Sequence, residues 1–324
     1  MSGRAFVTGA TGQDGSYLVE ALIQQHWDVH ILIREDGAGP AGVTRHQGDL
    51  TEHEKLSKIL ESCQPDVVFN LAGVSSVAFS WSEPALTSMV SGTAVAQLLE
   101  TCLRIQNENG RVIRFVQASS AEVFGNATES PQTERTPILP VSPYGAAKAY
   151  AQHMVGIYRQ RGMHASSAIL YNHESPRRPE TFVTRKITSG VARIAAGLQD
   201  NISLGNLDAR RDWGWAPDYV DAMLRMADSP SPSDFVIATG ESHTVREFVE
   251  AAFLSAGIAS WEPHVLIDSR FNRPAEAQEM RGDASSARSK LGWCPTKNFE
   301  EIVAAMVAHD MSLLEANKSL GVGL

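Results

Sequence analysis

Tyr144 and Lys148 stand four positions apart in Tyr144-Gly-Ala-Ala-Lys148, so on a helix they share a face. An ammonium beside a phenol favours the phenolate, which makes the pair a candidate for proton transfer at a substrate hydroxyl. The same Lys can hydrogen-bond a nicotinamide ribose. Ser142-Pro143 supplies a helix start directly before the pair. Upstream, Ala118-Ser119-Ser120-Ala121-Glu122 adds a hydroxyl and a carboxylate at the end of an apolar run. A third group is Gly9-Ala-Thr11-Gly12-Gln13-Asp14-Gly15 near the N-terminus. Glycines there permit a tight turn, bring backbone close to a pyrophosphate and let a helix pack closely on a strand. The spacing is GxxGxxG rather than GxGxxG, and its meaning comes from the strand before it and the helix after it.

These groups need a scaffold, and the chain reads as one. Apolar runs at Arg4–Thr8, Val29–Ile33, Val67–Asn70, Ile113–Ala118 and Ala165–Leu170 predict strands. Between them, Ser16–Gln25, Glu54–Ser62, Thr93–Ile105 and Tyr144–Arg161 carry apolar residues at helical spacing. This alternation predicts an α/β fold, a Rossmann-type doubly wound parallel sheet. The second half is punctuated by prolines, with helical stretches at Phe182–Ala196, Val245–Ala256 and Phe299–Leu314. It predicts a smaller C-terminal substrate-binding domain over the sheet's carboxyl edge. The expected division is 1–172, joined by a segment near 213–245, for the dinucleotide, and 173–212 with 246–324 for the substrate.

The second strand ends Ile33-Arg34-Glu35-Asp36, where a Rossmann fold meets the adenosine ribose. Arg34 there favours NADP by pairing with a 2′-phosphate; a carboxylate one or two positions on favours NAD. Asp49-Leu50 ends the next strand-like segment and could bond the adenine amine, or Asp49 could simply cap a turn.

Twenty-eight Lys and Arg against 37 Asp and Glu give a formal charge of −9, which excludes a general attraction for nucleic acid or anionic lipid. No apolar run approaches the ~20 residues of a membrane helix. Three cysteines without a CxxC, and no leader-like start, predict a reduced, cytoplasmic protein. His26 and His30 straddle a loop and a strand, so no metal site is expected there.

Taken together, the set resembles the extended short-chain dehydrogenase/reductases, the NAD-dependent epimerase/dehydratase family. Further segments are similar to the GDP-mannose 4,6-dehydratases: Gly12–Tyr17, Tyr171-Asn-His-Glu-Ser-Pro-Arg-Arg-Pro179, Phe182–Ile187, Leu204–Gly214 and Val245–Val249. The resemblance implies that Tyr144 deprotonates a sugar C4 hydroxyl, Ser120 polarises its oxygen, Lys148 supports both, and Glu122 takes the C5 proton. Glu122 separates a dehydratase from the alternative, a GDP-4-keto-6-deoxyhexose reductase or epimerase, which needs only Ser, Tyr and Lys. Leu71, Ala72, Gly73, Ser75, His173 and Arg178 would join the glycine turn, Tyr144 and Lys148 around the cofactor. Ser75, Asn172, Lys186, Arg211, Arg273 and Glu276 would hold a GDP-sugar, the arginines suiting its diphosphate. The family also implies a homodimer through helices near 93–105 and 144–161, with tetramer assembly open.

Several positions depart from the family pattern. Glu35 replaces a second Arg, and the segment from there to Asp49 is short. Leu86, Ala121, Phe124 and Trp215 replace residues usually Tyr, Ser, Tyr and His. The four catalytic candidates are unchanged.

Overall fold

A computed structural model describes residues 3–34, 39–271 and 279–319. The first half runs β1 (Arg4–Thr8), α1 (Gln13–Gln24), β2 (Asp28–Ile33), β3 (Thr44–Gln47), α2 (His53–Cys63) and β4 (Val67–Asn70). It continues through short helices α3 (Val77–Ser82) and α4 (Pro84–Ser88) into α5 (Ala94–Asn109), β5 (Arg114–Ala118), α6 (Pro143–Gln160) and β6 (His164–Leu170). After β7 (Asn172–Glu174) come α7 (Val183–Ala195), β8 (Ile202–Leu204), β9 (Arg210–Arg211), β10 (Trp213–Trp215) and α8 (Ala216–Asp228). The remainder is β11 (Phe235–Ile237), β12 (His243–Thr244), α9 (Val245–Ser255), β13 (Val265–Ile267), β14 (Glu279–Met280), α10 (Ser285–Leu291) and α11 (Phe299–Ser319).

Seven strands form one sheet in the order β11-β6-β5-β4-β1-β2-β3. Every pair in it is parallel. Strand order reverses between β1 and β4, and ligands of open α/β sheets bind outside the carboxyl ends at such a point. The central strands are buried on both faces, as a parallel sheet requires. One face packs on α1 and α8 through Leu18, Leu22, Met223 and Met226. The other packs on α2, α5 and α6 through Leu60, Leu98, Leu99 and Val155. A separate core joins α7, α9 and α11 around Val191, Phe248, Ile302 and Met306.

Helix ends follow sequence chemistry. Ser142 caps α6 by accepting from the Gly145 N–H at 3.0 Å, and Pro143 occupies the first turn. Thr244 and Glu247 form a capping box at α9. One edge of the sheet was expected only as a strand-like segment ending at Asp49-Leu50, and the other was not expected. β3 reads Thr-Arg-His-Gln and has no buried apolar face, since it is an edge strand. β11 has three residues and completes the other edge, reached through α8, which begins with Ala216-Pro217.

Candidate active site

The carboxyl ends of β1, β4 and β5 are joined by a buried chain of side chains. Thr8 Oγ1 donates to Asn70 Oδ1 at 2.6 Å, Asn70 Nδ2 to Gln117 Oε1 at 2.7 Å, and Gln117 Nε2 to the Ala118 carbonyl at 2.8 Å. Thr8 Oγ1 also accepts from the Ala72 N–H at 3.1 Å. These three polar residues were missed by sequence reasoning, because an isolated polar side chain at a strand end carries no local signal.

Above this floor opens a cleft of about 560 Å³, within the range of small-molecule sites. Ser120, Glu122, Tyr144 and Lys148 all line it. Ser119, beside Ser120, is spent on the scaffold: its hydroxyl donates to Gln152 Oε1 at 2.8 Å, buried. Ser120 instead starts the short 3-10 turn Ala121–Val123, accepting from the Glu122 N–H at 3.3 Å. Tyr144 and Lys148 come from the first turns of α6. A Cβ at Gly145 would lie 2.6 Å from the Glu122 carbonyl oxygen, so only glycine lets α6 approach the turn that carries Glu122. The expected serine–tyrosine–lysine–glutamate set is thus held by two elements in direct contact.

The electrostatics differ from the simple expectation. Burial pushes the Tyr144 phenol up to about 12; a hydrogen bond with Ser120 opposes this and the Glu122 carboxylate adds to it. Lys148 does not reverse it. Its Nζ donates to the Ala118 carbonyl at 2.8 Å and lies 5.8 Å from the Tyr144 ring centroid. Burial brings Lys148 itself down to about 8, against the pull of Asp14. Lys148 is still mostly cationic at neutral pH.

The glycine turn sits beside this set. Gly9 takes φ +70°, and a Cβ on Gly15 would lie 2.0 Å from the Gly9 carbonyl oxygen. α1 begins after Gly12 with no side-chain cap, and Thr11 and Gly12 are exposed. A helix start of this kind offers N–H donors and the positive dipole end to a phosphate. Gln13 is turned inward, donating to the His173 carbonyl at 3.1 Å and accepting from Ser175 Oγ at 2.9 Å. Asp14 faces the cleft and meets His173, with Oδ2 2.9 Å from Nε2. His173 Nδ1 lies 2.7 Å from the Tyr171 carbonyl. Both imidazole nitrogens face acceptors, so the ring is satisfied only when both carry protons. Burial opposes the imidazolium, but the Asp14 carboxylate wins and holds His173 above its ordinary value. Asp14 is held below its own, His173 outweighing burial together with weaker help from Arg178 and Gln13. His173 also stacks on Tyr219 at 4.5 Å.

Leu71, Gly73 and Ser75 line the cleft, with Gly73 beside Lys148. Ala72 is half-buried and not among the lining residues. Arg178 lines it too, pairing with the buried Glu174 at 3.3 Å, its guanidinium 3.8 Å over the Phe182 ring. Farther out are Asn172, Lys186 and Arg211. Lys186 Nζ lies 3.6 Å from the Phe271 ring centroid. Of the Arg210-Arg211 pair, only Arg211 faces the cleft. Arg210 turns to Ser242, Glu247 and Glu279. Arg273 and Glu276 lie outside the described residues, as does Glu35. Phe182 and Trp213, which lie in segments similar to the family, also line the cleft, as do Trp81, Arg270 and Phe271, which nothing in their spacing singled out.

Three expected cofactor positions lie apart from this cleft, at the ends of β2 and β3. Arg34 is exposed and close enough to Asp49 to help hold its carboxyl below the usual range, after the hydrogen bond from the Thr51 N–H. Asp49 accepts from Thr51 N at 2.9 Å and Oγ1 at 2.7 Å, the turn-capping alternative. The Leu50 side chain packs in the core with Leu56 and Leu60, leaving only its backbone for a ligand. Among the departures, Ala121 lines the cleft and Phe124 is core. Leu86 is exposed, and Trp215 sits under Lys297 at 5.5 Å; neither is among the lining residues.

The family model described as GDP-mannose 4,6 dehydratase matches residues 6–306. GDP-mannose 4,6 dehydratase 1 of Arabidopsis thaliana is 45% identical over 98% of this chain and 92% of its own. The human GDP-mannose 4,6 dehydratase is 41% identical over 97% and 92%, and the Vibrio cholerae enzyme 39% over 99% and 97%. Among solved structures, a Thermus thermophilus UDP-glucose 4-epimerase complexed with NAD is 26% identical, with a TM-score of 0.82 over 95% of this chain and 98% of that one. RMD from Pseudomonas aeruginosa, complexed with NADPH, is 25% identical, with a TM-score of 0.81 over 96% and 99%.

Proposed function

Because this chain belongs to the GDP-mannose 4,6-dehydratase family, we infer that it is a hydro-lyase converting GDP-mannose to GDP-4-keto-6-deoxymannose. The observation that carries the reading is Glu122, a carboxylate sharing one cleft with Ser120, Tyr144 and Lys148. A simple 4-keto reductase has no need of a further base, and the family match further disfavours the reductase or epimerase alternative.

The uncapped start of α1 and the absent side chains at Gly12 and Gly73 support a dinucleotide there, and Lys148, beside Gly73, would bond the nicotinamide ribose. A nicotinamide held there would supply reversible hydride transfer between C4 and C6 of the sugar, which leaves no net redox change. Tyr144 would take the C4 hydroxyl proton, with Ser120 hydrogen-bonded to the same oxygen. The C4 ketone that results acidifies the neighbouring C5–H, and Glu122 would remove that proton. The C6 hydroxyl then leaves as water, carrying a proton delivered by Glu122. C5 would then take a proton from solvent while Tyr144 releases the one it received, so the protons balance. In the ligand-free chain the phenol holds its proton, so the Lys148 cation and the bound partners would have to lower its pKa until that proton leaves to solvent, before the phenolate takes the one from C4.

We assign NADP, with NAD as the alternative, on Arg34 at the end of β2. The outer cations, Lys186 and Arg211 with Arg273, would bind the diphosphate of the GDP-sugar, joined by Asn172, Ser75 and Glu276. The exposed Tyr150 and Ile157 on α6 support a homodimer through α5 and α6. Two buried cysteines and one exposed, all free, suit the reducing cytoplasm. No helix among the described residues is long and apolar enough to cross a membrane.

The test is incubation with GDP-mannose and catalytic NADP⁺ in deuterated water. The expected product is a 4-keto-6-deoxy sugar with deuterium at C5 and no accumulation of reduced cofactor. Turnover only of a 4-keto sugar, with NADPH consumed in proportion, would sink the reading.

A further inference from the structure

On the far end of the sheet from the cleft, three side chains from three elements converge. His30 is in β2, His46 in the edge strand β3, and Cys63 is the last residue of α2. One ligand atom from each lies within 4.8 Å of the others. The two imidazoles lie end to end, with centroids 5.0 Å apart and planes at 19°, and His30 Nδ1 is 2.8 Å from His46 Nε2. Cys63 is buried and His46 half-buried, which leaves one side open to solvent. Nothing in the dehydration chemistry uses any of the three.

We propose that His30, His46 and Cys63 form a site for a divalent metal ion of the zinc class, held by two imidazole nitrogens and one thiolate. Imidazole nitrogen and thiolate are donor types such ions take in proteins, and a water would complete a tetrahedron. Metal–nitrogen bonds of about 2.0 Å put neighbouring ligand nitrogens about 3.3 Å apart, so the two rings must part by about half an ångström and turn until both lone pairs meet at the ion. The surroundings also suit it. His30 Nε2 lies 3.3 Å from Asp28 Oδ1. With His30 Nδ1 on the metal, Nε2 carries the proton and donates it to that carboxylate, the arrangement that orients metal-bound histidines. Arg4 brings an opposing positive charge, but its guanidinium is already engaged by Asp28 at 2.7 Å and by the Cys63 carbonyl. Binding releases the Cys63 thiol proton to solvent as the sulfur–metal bond forms. The one proton now shared between the rings moves to the outer nitrogen of the ring that carries it, the other ring being protonated there already. The spacing of His26 and His30 gave no hint of this, because the partners of His30 are distant in sequence.

The ion would be structural. It ties β3, a four-residue polar edge strand, to β2 and α2, and so anchors the two strands whose carboxyl ends flank the expected adenosine site. The test uses the untagged full-length chain, stripped with chelator and titrated with Co²⁺, then Zn²⁺. The expected result is stoichiometric binding with a near-ultraviolet sulfur-to-cobalt band and tetrahedral visible bands, both displaced by Zn²⁺, and a higher Tm with Zn²⁺. Cys63→Ser removes the sulfur band. His46→Ala, at the half-exposed edge where folding is least at risk, weakens binding by more than about 10-fold. Cys294→Ala leaves the spectrum unchanged, and dehydratase activity is retained in every case. No stoichiometric binding, or a spectrum that survives both Cys63→Ser and His46→Ala, overturns the proposal.

Discussion

Lys148 is held at a cost to the fold. Its value near 8, against an ordinary 10.5, means the folded chain disfavours the charged form. The penalty is fully present below pH 8. It is relieved between pH 8 and 10.5, where the unfolded chain still binds the proton and the folded one has released it, so stability rises with pH there. The shift corresponds to about 3 kcal/mol, less about 1 kcal/mol for the hydrogen bond to Ala118. Lys148→Met is therefore expected to raise stability by about 2 kcal/mol at pH 7 while abolishing turnover. Urea unfolding at pH 7 and pH 10 checks this: a variant no more stable at pH 7, or with the same gain at both, contradicts the argument. Glu122→Gln keeps shape and removes the base. Dehydration should fall by about 10²- to 10⁴-fold with cofactor affinity unchanged. Unaltered deuterium incorporation at C5 would remove Glu122 from its role.

At the scale of elements, the contact between α6 and the Glu122 turn depends on one missing side chain. Gly145→Ala must push α6 away from the Glu122 carbonyl, moving Tyr144 and Lys148 together. We expect kcat to drop at least about 100-fold, since a 1 Å misplacement has that effect, while GDP-mannose affinity changes little. Full activity in this variant would show that the approach is not required. What the sequence made legible here was local. The glycine turn, the Ser-Pro start of α6 and the Tyr–Lys spacing each report on a few neighbouring residues, and each element formed within a few residues of its expected limits. β3 was legible only as a strand-like segment ending at Asp49-Leu50, and β11 was not legible. One is polar because it lies at an edge and the other is three residues long, and each gains its status only by pairing with a strand distant in sequence. The Thr8–Asn70–Gln117 chain and the His173–Asp14 pair were hidden for the same reason. His173 and Asp14 were both expected near the cofactor, but not that each would fix the other's charge.

Across the whole molecule, a buried ion pair links the C-terminal helix to the cleft. Asp310 in α11 accepts from Arg185 Nε at 3.0 Å and from Thr188 Oγ1 at 2.7 Å. Arg185 Nη1 also donates to the carbonyls of Pro176, at 3.0 Å, and Arg178, at 3.2 Å. Asp310→Ala leaves the guanidinium buried without its partner and should cost about 3 kcal/mol in urea unfolding. Because the same Arg185 holds the backbone at Arg178, cofactor affinity should weaken as well. A loss below about 1 kcal/mol would mean that Arg185 finds another partner or water. The path of the chain has a consequence for how the protein is made. The strand beside β6 is β11, which follows some 65 residues later, after α7, β8, β9, β10 and α8 have been laid down. On the ribosome, the edge of β6 therefore waits unpaired while that length is synthesised, offering Ala168-Ile169-Leu170 to any neighbouring strand. A fragment ending before Phe235 should accordingly aggregate, whereas the intact chain closes its own edge.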